Sequence, residues 1–266
     1  MTIKVFSYGG GVQSTAALVL AAQGRIDYKT FLFCNVGDDS ENPATLAYVN
    51  QVALPYAKEH RIELIELQKT RFGEPETLYQ RLTRPGSRSI GIPVRLAGSG
   101  APANRACTLD FKIKVIAKWL REHGATKDNP ATSALGISLD EFQRMRSDSG
   151  IAYQKLAYPL IDLRIDRQQC RNIISEAGLP IPAKSSCWFC PFHSLRTWQE
   201  MRQEQPELFK KACELEEIII KRMDTFKTGD AAYFTNKLKP LAQVTTELAQ
   251  DSLFGDDVCE SGYCML

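Results

Sequence analysis

The sequence lacks long apolar stretches and carries little net charge. Its 266 residues contain 33 Lys and Arg against 31 Asp and Glu, a formal net charge of +2. Nothing in the overall charge therefore predicts tight binding to nucleic acid or to a membrane surface. No apolar run reaches membrane-spanning length, and the amino-terminal residues do not resemble a signal peptide. We expect a cytoplasmic protein that has no membrane partner.

Histidine is scarce, whereas cysteine is not. The three histidines have no ligand-like partners nearby in the sequence, so they do not predict a histidine metal site. In a reducing compartment, eight cysteines are more typical of metal ligands, reactive thiols and core side chains than of disulfides. A hydrophobic content of 44% is enough for one large α/β domain with an appendage.

The strongest local signal is a glycine loop at residues 7–15, between the apolar residues 3–6 and a helix-like run at 16–22. A strand, a glycine turn and a helix start in this order bring backbone N–H groups and a helix N-terminus to one point, which favours a phosphate. Glycines let the main chain approach the anion, and hydroxyl side chains cap the helix. The alternative is a glycine-rich turn that binds nothing. The predicted nucleotide ligands here are Ser7, Gly9, Gly10, Gly11, Gln13, Ser14 and Thr15.

Strand and helix patterns alternate after the glycine loop. We predict strands at 30–35, 62–67 and 132–137, and a helix at 45–59 that Pro55 kinks or interrupts. The alternation predicts a Rossmann-like parallel sheet with helices on both faces and ligands at the carboxyl ends of the strands. We assign residues 1–178 to this nucleotide-binding domain and 179–266 to a cysteine-bearing, mainly helical extension with a long helix at 206–226.

Residues 70–106 form the least regular stretch and are rich in proline, glycine and arginine. Loops of this length in a compact domain are usually functional or disordered. We interpret the stretch as a collar around an anionic substrate, with a solvated surface as the alternative for each arginine. The arginines concerned are Arg81, Arg84, Arg88, Arg95 and Arg105.

Four segments resemble one known family in the same order. Residues 9–14 resemble the S-G-G-x-D-S loop of PP-loop ATP pyrophosphatases, with Gly9 for the first serine and Gln13 for the aspartate. With a glutamine at this position, the loop resembles that of the phosphoadenylylsulfate (PAPS) reductase branch of the family. Residues 35–45, 104–114 and 136–144 resemble later motifs of the same branch. The resemblance extends over about residues 3–192 and implies the adenine nucleotide alpha hydrolase-like fold.

This resemblance implies further nucleotide contacts and the cofactors ATP and Mg²⁺. Phe33 would border the adenine at the end of the second strand. For Asp38, Asp39 and Glu41, magnesium or substrate contacts and a solvated, helix-capping loop both stay open. The other residues implied to line the nucleotide are Asn35, Gly37, Gly136, Glu141 and Arg144.

The cysteines allow three interpretations. Arg105, Cys107 and Lys112 match the family signature R-x-C-T-x-x-L-K, and both cations lie near a helix start, where anions and a thiolate are favoured. Resemblance to adenylylsulfate reductases implies an iron-sulfur cluster on Cys107, Cys187 and Cys190, with its fourth iron either left open or bound by Cys264 or Cys259. A zinc on Cys187, Cys190, Cys259 and Cys264 is the second interpretation, and a metal-free redox dithiol is the third. The predicted catalytic residues are Cys107, Arg105, Lys112 and Cys259, the last as a reducing or sulfur-carrying thiol.

The resemblance implies an ATP-dependent sulfurtransferase. The enzyme would adenylate an acceptor, release pyrophosphate and transfer sulfur, giving a product such as a thiolated nucleobase. Its partners would be a nucleotide, a small-molecule or nucleic-acid acceptor, and a sulfur donor or thiol reductant, with a homodimer left open. Three alternatives are a sulfonucleotide reductase, a zinc-stapled amide or nitrile synthase, and a nucleotide-binding sensor without turnover.

Overall fold

The computed structural model describes residues 2–225 and 231–248. The strands are β1 (Lys4–Tyr8), β2 (Thr30–Asn35), β3 (Glu63–Gln68), β4 (Thr70–Arg71), β5 (Glu74–Pro75), β6 (Arg95–Leu96), β7 (Ala131–Leu135), β8 (Gln154–Ala157) and β9 (Ala232–Tyr233). The helices are α1 (Val12–Ala22), α2 (Pro43–Tyr48), α3 (Leu54–Glu59), α4 (Leu78–Thr83), α5 (Ala106–Thr108), α6 (Lys114–Glu122), α7 (Pro159–Asp162), α8 (Arg167–Glu176), α9 (Leu195–Glu204), α10 (Pro206–Thr225) and α11 (Leu241–Leu248). Two π-helical segments (Val49–Ala53, Leu109–Ile113) and one 3-10 helix (Leu139–Arg144) complete the set.

Five strands form one parallel sheet in the order β3-β2-β1-β7-β8. From β1 the chain builds outward to β3, then returns to place β7 and β8 on the other side of β1. The switch point therefore lies between β1 and β7, where open α/β sheets bind ligands beyond the carboxyl ends of the strands. The predicted Rossmann-like parallel sheet is confirmed, although β8 was not foreseen.

Helices cover both faces of this sheet. Phe6 and Phe31 are fully buried in a cluster with the apolar side chains of α1 and α8. Val5 and Leu32, on the opposite face of the same strands, are buried against Leu120 of α6. Strands that are buried on both faces carry near-continuous apolar runs, which is the pattern that β1 and β2 show.

Pro55 is accommodated by a wide helical turn. The α2 helix continues through the π-helical residues Val49–Ala53 into α3, and the N–H of Leu54 donates to the carbonyl of Val49, five residues back. Proline has no N–H, and in an α-helix its ring would press on the carbonyl four residues earlier. A π turn relieves that conflict without ending the helix.

The carboxyl-terminal region shares a hydrophobic core with residues 78–111. Trp198, Phe189 and Leu215 are fully buried with Leu82 and Phe111. The long helix predicted at 206–226 is present as α10, with Leu215 and its apolar neighbours on the buried face. The domain boundary at residue 178 stays a prediction, and this cluster joins residues from both sides of it.

Residues 70–106 are more regular than their composition indicates. They contain the β4-β5 hairpin, α4 and β6, and β6 pairs with β9 far along the chain. Arg222 of α10 donates to the carbonyls of Ser89 and Leu82. In the described part of the chain, no helix has the length and apolar character needed to cross a membrane.

Candidate functional site

The glycine loop joins the carboxyl end of β1 to the start of α1. Gly10 has φ +73°, and a Cβ there would lie 2.8 Å from Cγ2 of Thr45. A Cβ at Gly11, the N-cap of α1, would lie 3.1 Å from Oγ of Ser185. A glycine is therefore required at position 10, because the backbone there has a positive φ and because α2 leaves no room for a Cβ.

Polar side chains fix the shape of this loop. The Ser14 hydroxyl donates to the carbonyl of Gly11 at 3.0 Å and accepts from its N–H at 3.2 Å. The hydroxyls of Thr15 and Tyr8 are 3.0 Å apart and buried. Nε2 of Gln13 donates to Ser138 beyond β7 at 3.5 Å. Nucleotide contacts by Gln13, Ser14 and Thr15 stay predictions.

The loop after β2 is built by its own side chains. The Asn35 amide donates to Asp38 at 2.7 Å and accepts from the N–H of Gly37 at 2.8 Å. Gly37 has φ +123°, and a Cβ there would lie 2.4 Å from Cβ of Thr77. Both carboxylate oxygens of Asp39 accept hydroxyl hydrogen bonds, from Ser40 and Thr77. These contacts give Asn35, Gly37 and Asp39 structural roles, while their predicted ligand contacts stay untested.

The segment after β7 contains a buried ion pair. Glu141 and Arg144 lie in the 3-10 helix Leu139–Arg144, and both are less than a tenth exposed. Arg144 donates to the Glu141 carboxylate. A Cβ on Gly136 would lie 3.2 Å from the backbone N of Ser14, so this segment packs directly on the glycine loop. Nucleotide contacts by Gly136, Glu141 and Arg144 stay predictions.

Two cavities open at the carboxyl edge of the sheet. The first, at the ends of β1 and β2, is lined by Gly9, Phe33 and Lys112. The second, about 590 Å³ between β1, β7 and β8, is lined by Ser7, Lys112 and Arg146. The first cavity is the place where Phe33 was predicted to border an adenine. The second lies at the switch point, and sequence reasoning missed its residues Arg146, Ser149 and Gln154 because they follow no motif.

A third cavity, which we call the cysteine cavity, contains the three cysteines that resemblance put together. It has a volume of about 460 Å³, and Cys107, Cys187 and Cys190 line it with Arg105 and Lys112. All three cysteines are half-buried. Residues separated by some 80 positions in the chain thus face one space, in which two cations accompany three thiols.

The Cys187–Cys190 knuckle is anchored to the loop after β2. Cys187 forms a β-bridge with Glu41, and the Trp188 indole donates to the carbonyl of Asp39 at 2.8 Å. Nε2 of His193 lies 2.9 Å from the carbonyl oxygen of Cys187. Burial lowers the pKa of His193 to about 4, so the ring is neutral at pH 7 and Nε2 carries its donating proton. His193 therefore supports the knuckle.

The arginines of the collar separate into two groups. Arg81 and Arg84 donate to the buried carboxylate of Glu76 at 2.8 and 2.7 Å, so they stabilise the fold. Arg95 and Arg105 instead place their guanidinium groups 5.7 and 5.3 Å from the centre of the Phe192 ring, which lines the cysteine cavity. Arg105 itself lines the cysteine cavity, and contacts of the collar arginines with an anion stay predictions.

Lys112 lines all three cavities. It lies in the π-helical segment Leu109–Ile113 between α5 and α6, where the N–H of Lys114 donates to the carbonyl of Leu109. Such turns frequently occur at functional sites. The N–H of Cys107, one turn earlier, donates to the carbonyl of Gly91 at 2.7 Å, which ties the cysteine to the collar.

Three other cysteines, Cys34, Cys170 and Cys213, pack into or against the hydrophobic core. Burial raises the pKa of Cys34 to about 12, of Cys170 to about 12 and of Cys213 to about 11. Their thiols stay protonated at neutral pH and are poor nucleophiles.

The metal assignment remains a prediction. Within residues 2–225 and 231–248, no three side chains of His, Cys, Asp or Glu are gathered closely enough to hold a metal ion. Cys259 and Cys264, the predicted catalytic thiol and fourth ligand, lie outside the described residues. Zinc on Cys187, Cys190, Cys259 and Cys264 depends on the same two residues.

Comparisons with known proteins give likenesses of fold. No protein-family model matches the sequence, and no curated protein does. A PAPS reductase from Candida auris, solved as a phosphate complex, is 12% identical, with a TM-score of 0.44 over 68% of this chain and 76% of that one. The U34-tRNA thiolase NcsA from Methanococcus maripaludis, solved with its 4Fe-4S cluster, is 13% identical, with a TM-score of 0.42 over 97% of this chain and 74% of that one. Neither likeness assigns a reaction to this chain.

Proposed function

We propose that the chain is an ATP-dependent sulfurtransferase of the PAPS reductase-like type, which adenylates an acceptor and then replaces the activated oxygen with sulfur. The observation that carries the proposal is the position of Lys112. This one cation lines both cavities at the sheet edge and also the cysteine cavity. A nucleotide held at the glycine loop and a sulfur held among the thiols would therefore meet at Lys112.

In the first step, the backbone N–H groups at the start of α1 and the Lys112 ammonium group hold the phosphates of ATP, with Mg²⁺ as the expected counterion. An oxygen of the acceptor attacks the α-phosphorus. The bond to the β-phosphate breaks, and pyrophosphate leaves. Because the glycine loop is already fixed by Ser14 and Thr15, positioning and charge neutralisation supply most of the rate.

In the second step, a sulfur nucleophile of the hydrosulfide class attacks the activated carbon of the acceptor. The carbon–oxygen bond breaks, AMP leaves, and a proton is released from sulfur. Arg105 and Lys112 neutralise charge on the departing AMP and the incoming sulfur, since both line the cysteine cavity.

The donor set at this cavity, three thiols facing one space, is of the kind that an iron-sulfur cluster takes, although within the described residues these thiols are not gathered closely enough to hold a metal ion. Cys107, Cys187 and Cys190 would hold three of its irons, since thiolates are the usual ligands of such clusters and all three line one space. When bound, a cluster with one iron lacking a protein ligand supplies a binding place for hydrosulfide. Cys259 and Cys264 remain the proposed sources of a fourth ligand or of a reducing thiol.

The test is an anaerobic assay with ATP, Mg²⁺, sulfide and total RNA as the source of acceptors. We expect release of pyrophosphate and AMP together with a thiolated nucleoside detectable by mass spectrometry. Cys107→Ser should stop thiolation, whereas Cys213→Ser, which changes a core thiol, should leave it unchanged. No pyrophosphate release with any acceptor fraction would contradict the proposal.

A sulfonucleotide reductase is the second candidate, because the same cavity places Cys107 beside Arg105 and Lys112. There a thiolate would attack the sulfur of adenylylsulfate or its 3′-phosphate and displace the nucleotide. A dithiol reductant would then release sulfite. Sulfite formation without ATP consumption would favour this candidate over the sulfurtransferase.

A further inference from the structure

The β4-β5 hairpin presents an aromatic side chain to solvent. Its two-residue turn consists of Phe72 and Gly73, with φ of 53° and 91°, as a type I′ turn requires. Asn or Gly usually occupies the first position, where a bulky side chain is strained. Phe72 is nevertheless there and 94% exposed, whereas the next most exposed aromatic side chain among the described residues, Phe142, reaches 63%. Nothing in the fold requires a phenylalanine at this tip.

Arg71 accompanies the tip of this hairpin, and further cations lie at its base. The Arg71 guanidinium group lies 5.0 Å from the centre of the Phe72 ring. Behind it, four cations lie within 4.0 Å of the buried Glu76 carboxylate, and Asp110 pairs with one of them and with Lys114. The five cations are Lys69, Arg71, Arg81, Arg84 and Lys114. They exceed the three carboxylates Glu74, Glu76 and Asp110 by two positive charges.

The hairpin stands beside the proposed site. β4 begins two residues after β3 ends, at the carboxyl edge of the sheet. The pair of Arg81 with Asp110 and the contact of Lys69 with the Phe111 ring, at 5.5 Å, join the base of the hairpin to the segment that carries Lys112. A ligand held at Phe72 would therefore lie next to the edge where the cavities open.

We propose that this Phe72 hairpin binds an unpaired stretch of RNA, with one base stacked on Phe72 and the neighbouring phosphates held by Arg71 and Lys69. Unpaired bases stack on aromatic rings and guanidinium planes, and cations follow the backbone. A protein partner is less suited, because Phe72 lies alone among charges and forms no apolar patch. The role of the hairpin in holding a nucleic-acid acceptor rests on the proposed function. RNA binding itself can be measured without any turnover by the enzyme.

The test is fluorescence anisotropy with a labelled oligouridine RNA of about 12 nucleotides and no ATP, a length within the site sizes of single-strand binders. Phe72→Ala should weaken binding roughly tenfold, as loss of one stacked base does. Phe72→Trp should keep the affinity, since stacking survives. Phe142→Ala removes a second exposed phenylalanine, away from the hairpin in sequence, and should change nothing. Because Phe72 is exposed, thermal unfolding of Phe72→Ala should match that of the unchanged protein.

Three results would overturn the inference. These are equal affinity of Phe72→Ala and the unchanged protein, equal affinity for duplex and single-stranded RNA, and binding to single-stranded DNA of the same sequence without binding to RNA. RNA binding that depends on Phe72 in a protein that never releases pyrophosphate would support the hairpin and defeat only the sulfurtransferase proposal.

Discussion

The glycine loop and the cysteine cavity are assembled in opposite ways. The hydrogen bonds that shape the glycine loop are mostly local, since the Ser14 hydroxyl bonds both the N–H and the carbonyl of Gly11, although α2 also packs on Gly10. The cysteine cavity is a tertiary structure, whose thiols come from the π-helical region near Lys112 and from a knuckle docked on the loop after β2. Changes far away should therefore leave the first intact and disturb the second.

The largest expected effect tests that dependence. Arg222 is buried in α10 and donates to the carbonyls of Ser89 and Leu82, which holds the collar against the carboxyl-terminal helices. Arg222→Ala leaves both carbonyls without this charged donor and should lower the free energy of unfolding by about 4 kcal/mol. Urea unfolding measures this loss.

The matched control is Arg196→Ala. Arg196 is exposed and pairs across one helical turn with Glu200, so the change should stay below about 0.5 kcal/mol. Two results would contradict the contrast between the local glycine loop and the tertiary cysteine cavity. One is a loss of stability from Arg222→Ala as small as that from Arg196→Ala. The other is weaker ATP binding in Arg222→Ala together with faster alkylation of Cys187, because only the faster alkylation is expected.

Lys112→Met removes the residue that lines both the cavity beside the glycine loop and the cysteine cavity. Loss of one preorganised charge at a reacting phosphate typically lowers the rate by roughly 10²- to 10³-fold, about 3 kcal/mol. We expect that loss in both pyrophosphate release and thiolation. Lys114→Met is the control, because Lys114 is exposed and pairs with Asp110. A loss in one step only would assign Lys112 to one half of the site.

The fold could be predicted further than the site. β1, β2 and the glycine loop carry their signals within a few residues, so their positions follow from the sequence. Strand β8 is short and begins with polar residues, so no apolar pattern in the sequence indicates it. Arg81 and Arg105 look alike in the collar, but only tertiary contacts decide that one stabilises the hairpin and the other faces the thiols. Arg222 and Glu216 break the rule that charged positions on an amphipathic helix are exposed.

Glu216 of α10 makes the stability of the carboxyl-terminal region depend on pH. Its buried carboxylate accepts from the backbone N–H groups of Phe234 and Leu241, both at 2.6 Å. Burial raises the pKa of Glu216 to about 7, with a smaller contribution from Glu217. A raised pKa means that the folded state binds the proton more tightly than the unfolded state. The stabilisation is therefore complete below about pH 4.5 and disappears as the pH rises through 7.

Unfolding by urea at pH 5 and at pH 8 measures this effect. The unchanged protein should lose roughly 2 kcal/mol more over this range than Glu216→Gln, in which the titrating group is absent. Other carboxylates titrate equally in both proteins and cancel in the difference. Parallel pH profiles for the two proteins would show that Glu216 does not titrate in this window.

The smallest expected effect concerns the local half. Gly10→Ala adds a Cβ 2.8 Å from Thr45 at φ +73°, which should destabilise the protein by about 2 kcal/mol and weaken ATP binding. Gly24→Ala has a similar φ of +71° with no atom within 4 Å, so only the backbone cost of about 1 kcal/mol remains. Equal losses in the two variants, with ATP affinity unchanged in both, would remove Gly10 from the nucleotide site.

The central claim is that Cys107, Cys187 and Cys190 act as one site, and metal analysis of anaerobically purified protein tests it most directly. Iron with matching acid-labile sulfide is expected, lost in Cys107→Ser and in Cys187→Ser and retained in Cys213→Ser. Zinc at one per chain that persists in Cys107→Ser would contradict the claim, because Cys107 would then stand apart from the metal-binding cysteines.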